Sequence, residues 1–172
     1  MAYAFLTGGA RSGKSSAAER RAAASRAPVT VIATAEAGDA EMAARIEHHR
    51  RSRPTGWMTI EEPIRLTEAV GQVSEDCFVL IDCMTLWLAN VLGWSDSAIL
   101  EHVEELSSLL STRDGQAVVV SNEVGDGIVP ADPMTRRYRD LLGVVNGRLA
   151  AGAAESYLVV AGRFLPLEPS PW

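Results

Sequence analysis

Short, nearly continuous apolar runs recur along the chain at residues 3–6, 29–33, 57–60, 78–81, 118–120 and 157–160. Several are rich in Val and Ile, and their continuity, with little polar alternation, predicts strands buried on both faces. Between them, apolar residues return every three or four positions. Residues 14–24 are rich in Ala, Glu and Arg, residues 41–49 place Met42, Ile46 and His49 at i, i+4 and i+7, and residues 97–110 repeat Ile99, Val103, Leu106 and Leu110. That spacing gathers side chains on one face of a helix. Asp132-Pro133 reads as a cap followed by a proline at the first helical position, and predicts a helix running from there through residues 134–149. Strand and helix alternate to the end, which predicts an α/β domain built on a mostly parallel sheet. No repeat, low-complexity tract or linker divides residues 1–172, so one domain is expected. The closing FLPLEPSPW is expected to lie as a tail on the surface or on a neighbouring subunit.

Composition narrows the classes. The chain is 47% hydrophobic and 22% charged, and no apolar run approaches the roughly 20 residues that a bilayer requires, so a soluble protein without membrane insertion is expected. The opening MAYAFLTGG has no basic n-region, and a cytoplasmic location follows as the expectation. A net charge of −6 argues against a nucleic-acid binder, because phosphate backbones are held by clustered Lys and Arg. Positive charge is local instead: Arg45, Arg50, Arg51 and Arg53 crowd together, and Arg11 and Lys14 sit in a glycine loop. Cys77 and Cys83 match neither zinc-ligand nor CxxC spacing and are expected to be buried thiols. The four tryptophans are assigned to core or interface.

The glycine loop carries the first chemistry. Gly8-Gly9-Ala10-Arg11-Ser12-Gly13-Lys14-Ser15 fits GxxxxGK[ST], directly after an apolar strand and before a helix-forming run. Glycines allow backbone N–H groups to turn inward around an anion, and the helix start adds unpaired donors and the positive end of its dipole. Lys14 is expected to reach β- and γ-phosphates and Ser15 to ligate Mg²⁺. Asp82 closes the apolar run Phe78-Val79-Leu80-Ile81, where such sites carry an acidic partner for the metal. A nucleoside triphosphate with Mg²⁺ is the expected ligand.

A regulatory GTPase would need an NKxD segment and a DxxG switch, and neither is readable. A small-molecule kinase without nucleotidyl transfer, or a nucleotide-dependent binding protein, stays open on the loop alone. Residues 41–54 add His48, His49 and the arginines. A neutral imidazole can attack phosphorus, and guanidinium groups can neutralise phosphate oxygens during that attack. The same residues also suit a solvated or structural helix face.

Taken together, GGARSGKS, the RIxxHRxxRPxxW segment and SNEVGDGIVP (121–130) resemble the bifunctional adenosylcobinamide kinase/adenosylcobinamide-phosphate guanylyltransferase family of cobalamin biosynthesis, over most of the chain. The resemblance implies a P-loop NTPase-like three-layer fold and a corrinoid substrate. It implies two reactions: phosphorylation of adenosylcobinamide by ATP or GTP, then transfer of GMP from GTP through a guanylyl-histidine. It places the nucleophile on His49, with His48 one position off the pattern. Nucleotide contacts would fall on Gly8 to Ser15, on Ala33, Thr34 and Ala35, on Arg50, Arg51, Ser52 and Arg53, and on Glu61 and Asp82. Glu61 or nearby carbonyls could read guanine, and Glu123 either positions Mg²⁺ or substrate or braces its loop. The resemblance also implies a homotrimer.

Overall fold

The computed structural model describes residues 3–169, without the side chains of Arg45, His48 and Ser52. The Ser52 contact, the choice between His48 and His49 on side-chain grounds, and Trp172 therefore lie outside the described residues. The elements run β1 (Ala4–Thr7), α1 (Lys14–Ala24), β2 (Val29–Ala33), α2 (Ala40–Ser52), β3 (Met58–Glu61), α3 (Leu66–Gly71), β4 (Phe78–Asp82), α4 (Met84–Asn90), α5 (Asp96–Thr112), β5 (Ala117–Val120), α6 (Pro133–Gly152), β6 (Glu155–Val160) and β7 (Arg163–Pro166).

Among the described residues the seven strands form one sheet in the order β3-β2-β4-β5-β1-β6-β7. Every pairing is parallel except that of β6 with β7. The central strands are buried on both faces, as their unbroken apolar runs require, and successive residues point to opposite layers. Tyr3, Phe5, Val79, Ile81 and Val119 join a core with side chains of α3, α4, α5 and α6. Ala4, Leu6, Phe78, Leu80, Val118 and Val120 join a second core, closed by Ala17, Ala18 and Ala22 of α1. The result is a three-layer α/β fold. The small α1 alanines bring that helix close over the sheet, while α6 contributes Leu141, Leu142, Val145 and Leu149 to the opposite layer. Burying each such leucine contributes about 1.5–3 kcal/mol.

Helix starts follow local chemistry. The Asp132 carboxylate accepts the Thr135 N–H at 2.8 Å with Pro133 at the first position, as the sequence predicts. Asp39 caps α2 through the Met42 N–H at 2.7 Å, and Ser95 caps α5 through Ala98. Such caps each stabilise by about 1 kcal/mol. No helix among the described residues is long and apolar enough to cross a membrane.

Three expectations need correction. The start of the closing segment is a strand rather than a tail: residues 163–166 form β7, an exposed antiparallel edge strand on β6, because the turn at Ala161 and Gly162 has positive φ at both positions and reverses the chain. Cys77, just ahead of β4, is only partly buried, whereas the Cys83 thiol is buried against the second core as expected although the residue as a whole keeps some exposure. Residues 58–61 form a partly exposed edge strand, because only β2 pairs with them.

His102 of α5 stacks on Trp87 with ring centroids 5.2 Å apart and meets the edge of Trp94 at 6.0 Å. Burial pushes its pKa below the ordinary value, with Glu105 and Glu68 pulling the other way. Because the unfolded chain takes up this proton at higher pH than the folded one, stability falls as pH drops from about 6.5 toward the lower folded pKa. Urea midpoints measured between pH 8 and pH 5 should show this decline. A His102→Gln variant should lose its share of it.

Candidate nucleotide site

The site lies at the C-terminal ends of the parallel strands, where β1 runs into the glycine loop and then α1. Gly8 has φ +149° and packs so closely on β6 that a Cβ would fall 2.2 Å from the Val159 carbonyl oxygen. Gly13 has φ +99° and starts α1 without a side-chain cap. Arg11 is also left-handed, at φ 57°. The loop is tied from both sides: the Glu123 N–H donates to the Gly8 carbonyl at 3.1 Å, and the Gly162 N–H donates to the Ser12 carbonyl at 2.8 Å.

Within this frame the Lys14 ammonium donates to the Gly9 carbonyl at 2.9 Å and to Asn122 Oδ1 at 3.1 Å. Burial lowers its pKa, against the opposing influence of Cys83 and Asp82. The Ser15 hydroxyl donates to Asp82 Oδ1 at 3.3 Å. Two residues assigned to a metal from the sequence, 67 positions apart, thus meet as a hydroxyl and a carboxylate. Both are hard oxygen donors of the kind Mg²⁺ takes.

Ala33, Thr34 and Ala35 lie at the end of β2, beside β4. Thr34 is fully buried, and its hydroxyl donates to the Cys83 carbonyl at 2.7 Å and accepts the Cys83 N–H at 2.9 Å. Its side chain is committed to joining the two strand ends. The Ala33 carbonyl accepts the Glu62 N–H at 3.0 Å. Burial and Asp82 push the Cys83 thiol pKa up, so this thiol beside the loop is neutral near pH 7. Next to it the Tyr138 hydroxyl donates to the Thr85 carbonyl at 2.9 Å, and burial raises its pKa to about 12.

His49 and the arginines occupy the last turn of α2 and the residue that follows it. None of the described side chains of α2 is buried, so this helix stands outside both cores. Arg50 pairs with Glu61 at the end of β3 and lies 3.7 Å from Glu47, and Arg51 donates to Glu47 at 2.7 Å. Arg53 donates to Thr59 Oγ1 at 3.2 Å, while its buried Nε has no hydrogen-bond partner among the described residues. Arg50 and Glu61, both assigned to nucleotide, are thereby each other's partners.

Two groups escaped the sequence reading. Glu19 lies one turn beyond Ser15 on α1; burial and then the Asp82 charge raise its pKa, while Arg53 and His49 pull it down. Its helical spacing from Ser15 was the available signal. Asn122 follows an apolar strand, just as Asp82 does, and that position was its signal. Glu123 braces its loop: its carboxylate accepts the Gly125 N–H at 2.7 Å.

Residues 4–167 match the family described as cobinamide kinase / cobinamide phosphate guanyltransferase (CobU). The bifunctional adenosylcobalamin biosynthesis protein CobP of Pseudomonas aeruginosa is 43% identical over 170 residues, covering 97% of this chain and 98% of the relative. The bifunctional adenosylcobalamin biosynthesis protein CobU of Escherichia coli is 40% identical over 173 residues, covering 92% and 95%. Among solved structures, a Pyrococcus horikoshii protein designated PH0250 superposes with TM-score 0.56 at 10% identity, covering 96% of this chain and 85% of that one. The RadB recombinase does so with TM-score 0.53 at 13% identity, covering 91% and 73%. These structures share the P-loop NTPase-like fold.

The close approach of Gly8 to β6 yields a direct test. Gly8→Ala should destabilise the chain by about 2–4 kcal/mol, from the clash and the unfavourable φ, and weaken nucleotide binding at least about tenfold. Gly9→Ala, where an added Cβ meets nothing within 4 Å, should unfold within about 0.5 kcal/mol of the parent. Denaturant titration with and without nucleotide separates the two.

Proposed function

The chain belongs to the cobinamide kinase / cobinamide phosphate guanyltransferase family, and from that premise we propose that it carries out both reactions at one nucleotide site. The observation that carries the reading is the junction of two halves. Ser15, bonded to Asp82, and its neighbour Lys14 would hold metal and phosphate, and Glu19, on the same helix as Ser15, lies in the electrostatic reach of both Asp82 and His49. A nucleotide held by the loop would therefore have the histidine-bearing end of α2 close by.

In the kinase reaction, the substrate hydroxyl of adenosylcobinamide attacks the γ-phosphorus of ATP or GTP. The bond to the β–γ bridging oxygen breaks, the nucleoside diphosphate leaves, and the hydroxyl proton is released. Lys14 and main-chain N–H groups of the glycine loop would stabilise the charge on the phosphoryl oxygens. Ser15 and Asp82 would hold Mg²⁺, which when bound neutralises phosphate charge.

In the guanylyl reaction, a ring nitrogen of His49 attacks the α-phosphorus of GTP. The bond to the α–β bridging oxygen breaks, and pyrophosphate departs along the loop that otherwise holds the β- and γ-phosphates. A phosphate oxygen of adenosylcobinamide phosphate then displaces the imidazole, giving adenosylcobinamide-GDP and free His49. Arg53, which with His49 acts electrostatically on Glu19, would help neutralise the charge on the α-phosphate. Arg50 and Arg51 would exchange exposed carboxylate partners for phosphate, at small cost, since exposed pairs contribute about 0–1 kcal/mol.

The corrin substrate is bulky and needs a wide, open surface. Ile128, Val129, Met134 and Val144 are exposed on the loop after β5 and on α6. An open cavity of about 590 Å³ in this region has Val129, Arg139 and Val144 on its walls. A neighbouring copy in a cytoplasmic homotrimer would complete it.

His49→Ala should retain adenosylcobinamide phosphorylation within about threefold and lose guanylyl transfer by at least about 10³-fold, the scale of removing a nucleophile. Intact-mass measurement after exposure to GTP and Mg²⁺ should reveal an acid-labile GMP adduct on the parent and none on the variant. An unlabelled parent, or equal loss of both reactions in a folded variant, would overturn the assignment.

A further inference from the structure

Asn146 is an anomaly on α6. It lies in the stripe formed by Leu142, Val145 and Leu149, is only 7% exposed, and occupies a place where an apolar side chain would pack. A buried amide is costly unless its polar groups are bonded. Both are: Asn146 Oδ1 accepts the Ser121 hydroxyl at 2.6 Å, and its Nδ2 donates to the Asn122 carbonyl at 2.9 Å. These bonds hold the two residues directly after β5. The Asn122 side chain then accepts Lys14 through Oδ1, at 3.1 Å.

We propose that Asn146 and Asn122 form a positioning relay for Lys14, in which Asn146 sets the main chain of Asn122 and the Asn122 amide aims the ammonium at the β- and γ-phosphates of bound nucleotide. The inference rests on the reading that Lys14 meets those phosphates. An ammonium has three N–H donors. The Gly9 carbonyl and Asn122 take two of them and leave the third for phosphate. Lysine has a flexible four-carbon stem, so two fixed acceptors spare the ordering cost when nucleotide binds. Asn122 is neutral and directs the ammonium without cancelling its charge. A carboxylate there would pair with the lysine and repel the phosphates. Neither asparagine touches the reacting atoms in this scheme, so both are positioning residues.

The test compares two ligands by calorimetry with Mg²⁺: the α,β-methylene analogue of GTP, which cannot guanylylate His49, and GMP, which lacks the β- and γ-phosphates. Asn122→Ala should weaken the analogue about five- to tenfold and GMP less than about twofold, consistent with loss of a contact that serves only the outer phosphates. Asn122→Asp should weaken the analogue more than Asn122→Ala does. Asn146→Leu, close in volume, should reproduce the selective loss, and the Asn122→Ala/Asn146→Leu double variant should be no weaker than Asn122→Ala. If Asn146→Leu does not fold, Ser121→Ala takes its place in the cycle.

Equal losses for the two ligands would assign the asparagines to loop integrity and overturn the relay. Unchanged analogue binding by Asn122→Ala, or additive losses in the double variant, would also overturn it. A parent chain that fails to bind the analogue would sink the nucleotide reading and the relay together.

Discussion

The backbone ladder that joins β1 to both its neighbours is the constraint from which the site follows, because it does not stop at the end of the strand. On one side the Ser121 N–H donates to the Leu6 carbonyl at 2.9 Å and the Glu123 N–H to Gly8. On the other, Gly8 lies against the Val159 carbonyl, and the turn after β6 donates through Gly162 to Ser12. The glycine loop is held by its own carbonyls to the segment after β5 and to the β6–β7 turn. Two buried hydroxyls in this segment, those of Thr7 and Ser12, have no hydrogen-bond partner among the described residues. Its geometry rests on the backbone bonds.

Charge is then distributed by strand order. The sheet places β5 between β1 and β4, so the end of β5 lies beside Lys14 while Asp82 at the end of β4 reaches Ser15. Lys14 and Glu19 share a small region with Asp82, and burial there lowers the lysine pKa and raises that of Glu19. In contrast, the arginines of α2 sit in exposed ion pairs with Glu47 and Glu61. The first set is rigid because it is packed beside two cores. The second is inexpensive to rearrange, because water competes for every one of its bonds.

The same division appears in the helices. Helix α6 is long, capped, and anchored by four buried aliphatic residues, so it can present Asn146 to the end of β5 with little freedom. Helix α2 is capped by Asp39 but contributes no described side chain to either core. The glycine-loop half of the site therefore belongs to the packed framework, and the histidine-bearing half to an element with few apolar anchors.

Much of this was readable along the chain because it depends on neighbours in sequence. Apolar runs such as 78–81 and 118–120 announced strands, Asp132-Pro133 announced α6, and the glycine loop announced its own conformation, since Gly8 and Gly13 occupy φ values that other residues avoid. Residues 66–71 and 84–90 were not legible as helices: six or seven residues offer too few turns for a periodic signal. β7 was hidden in a proline-rich ending, and its strand character comes from β6. Asn146 has no local mark of function, and Glu19 and Asn122 have only a helical spacing from Ser15 and a place after an apolar strand. Their roles arise from separations of 108 positions to Lys14 or 24 within the relay, and strand order and the docking of α6, which no short window of residues encodes, bring such groups within bonding distance.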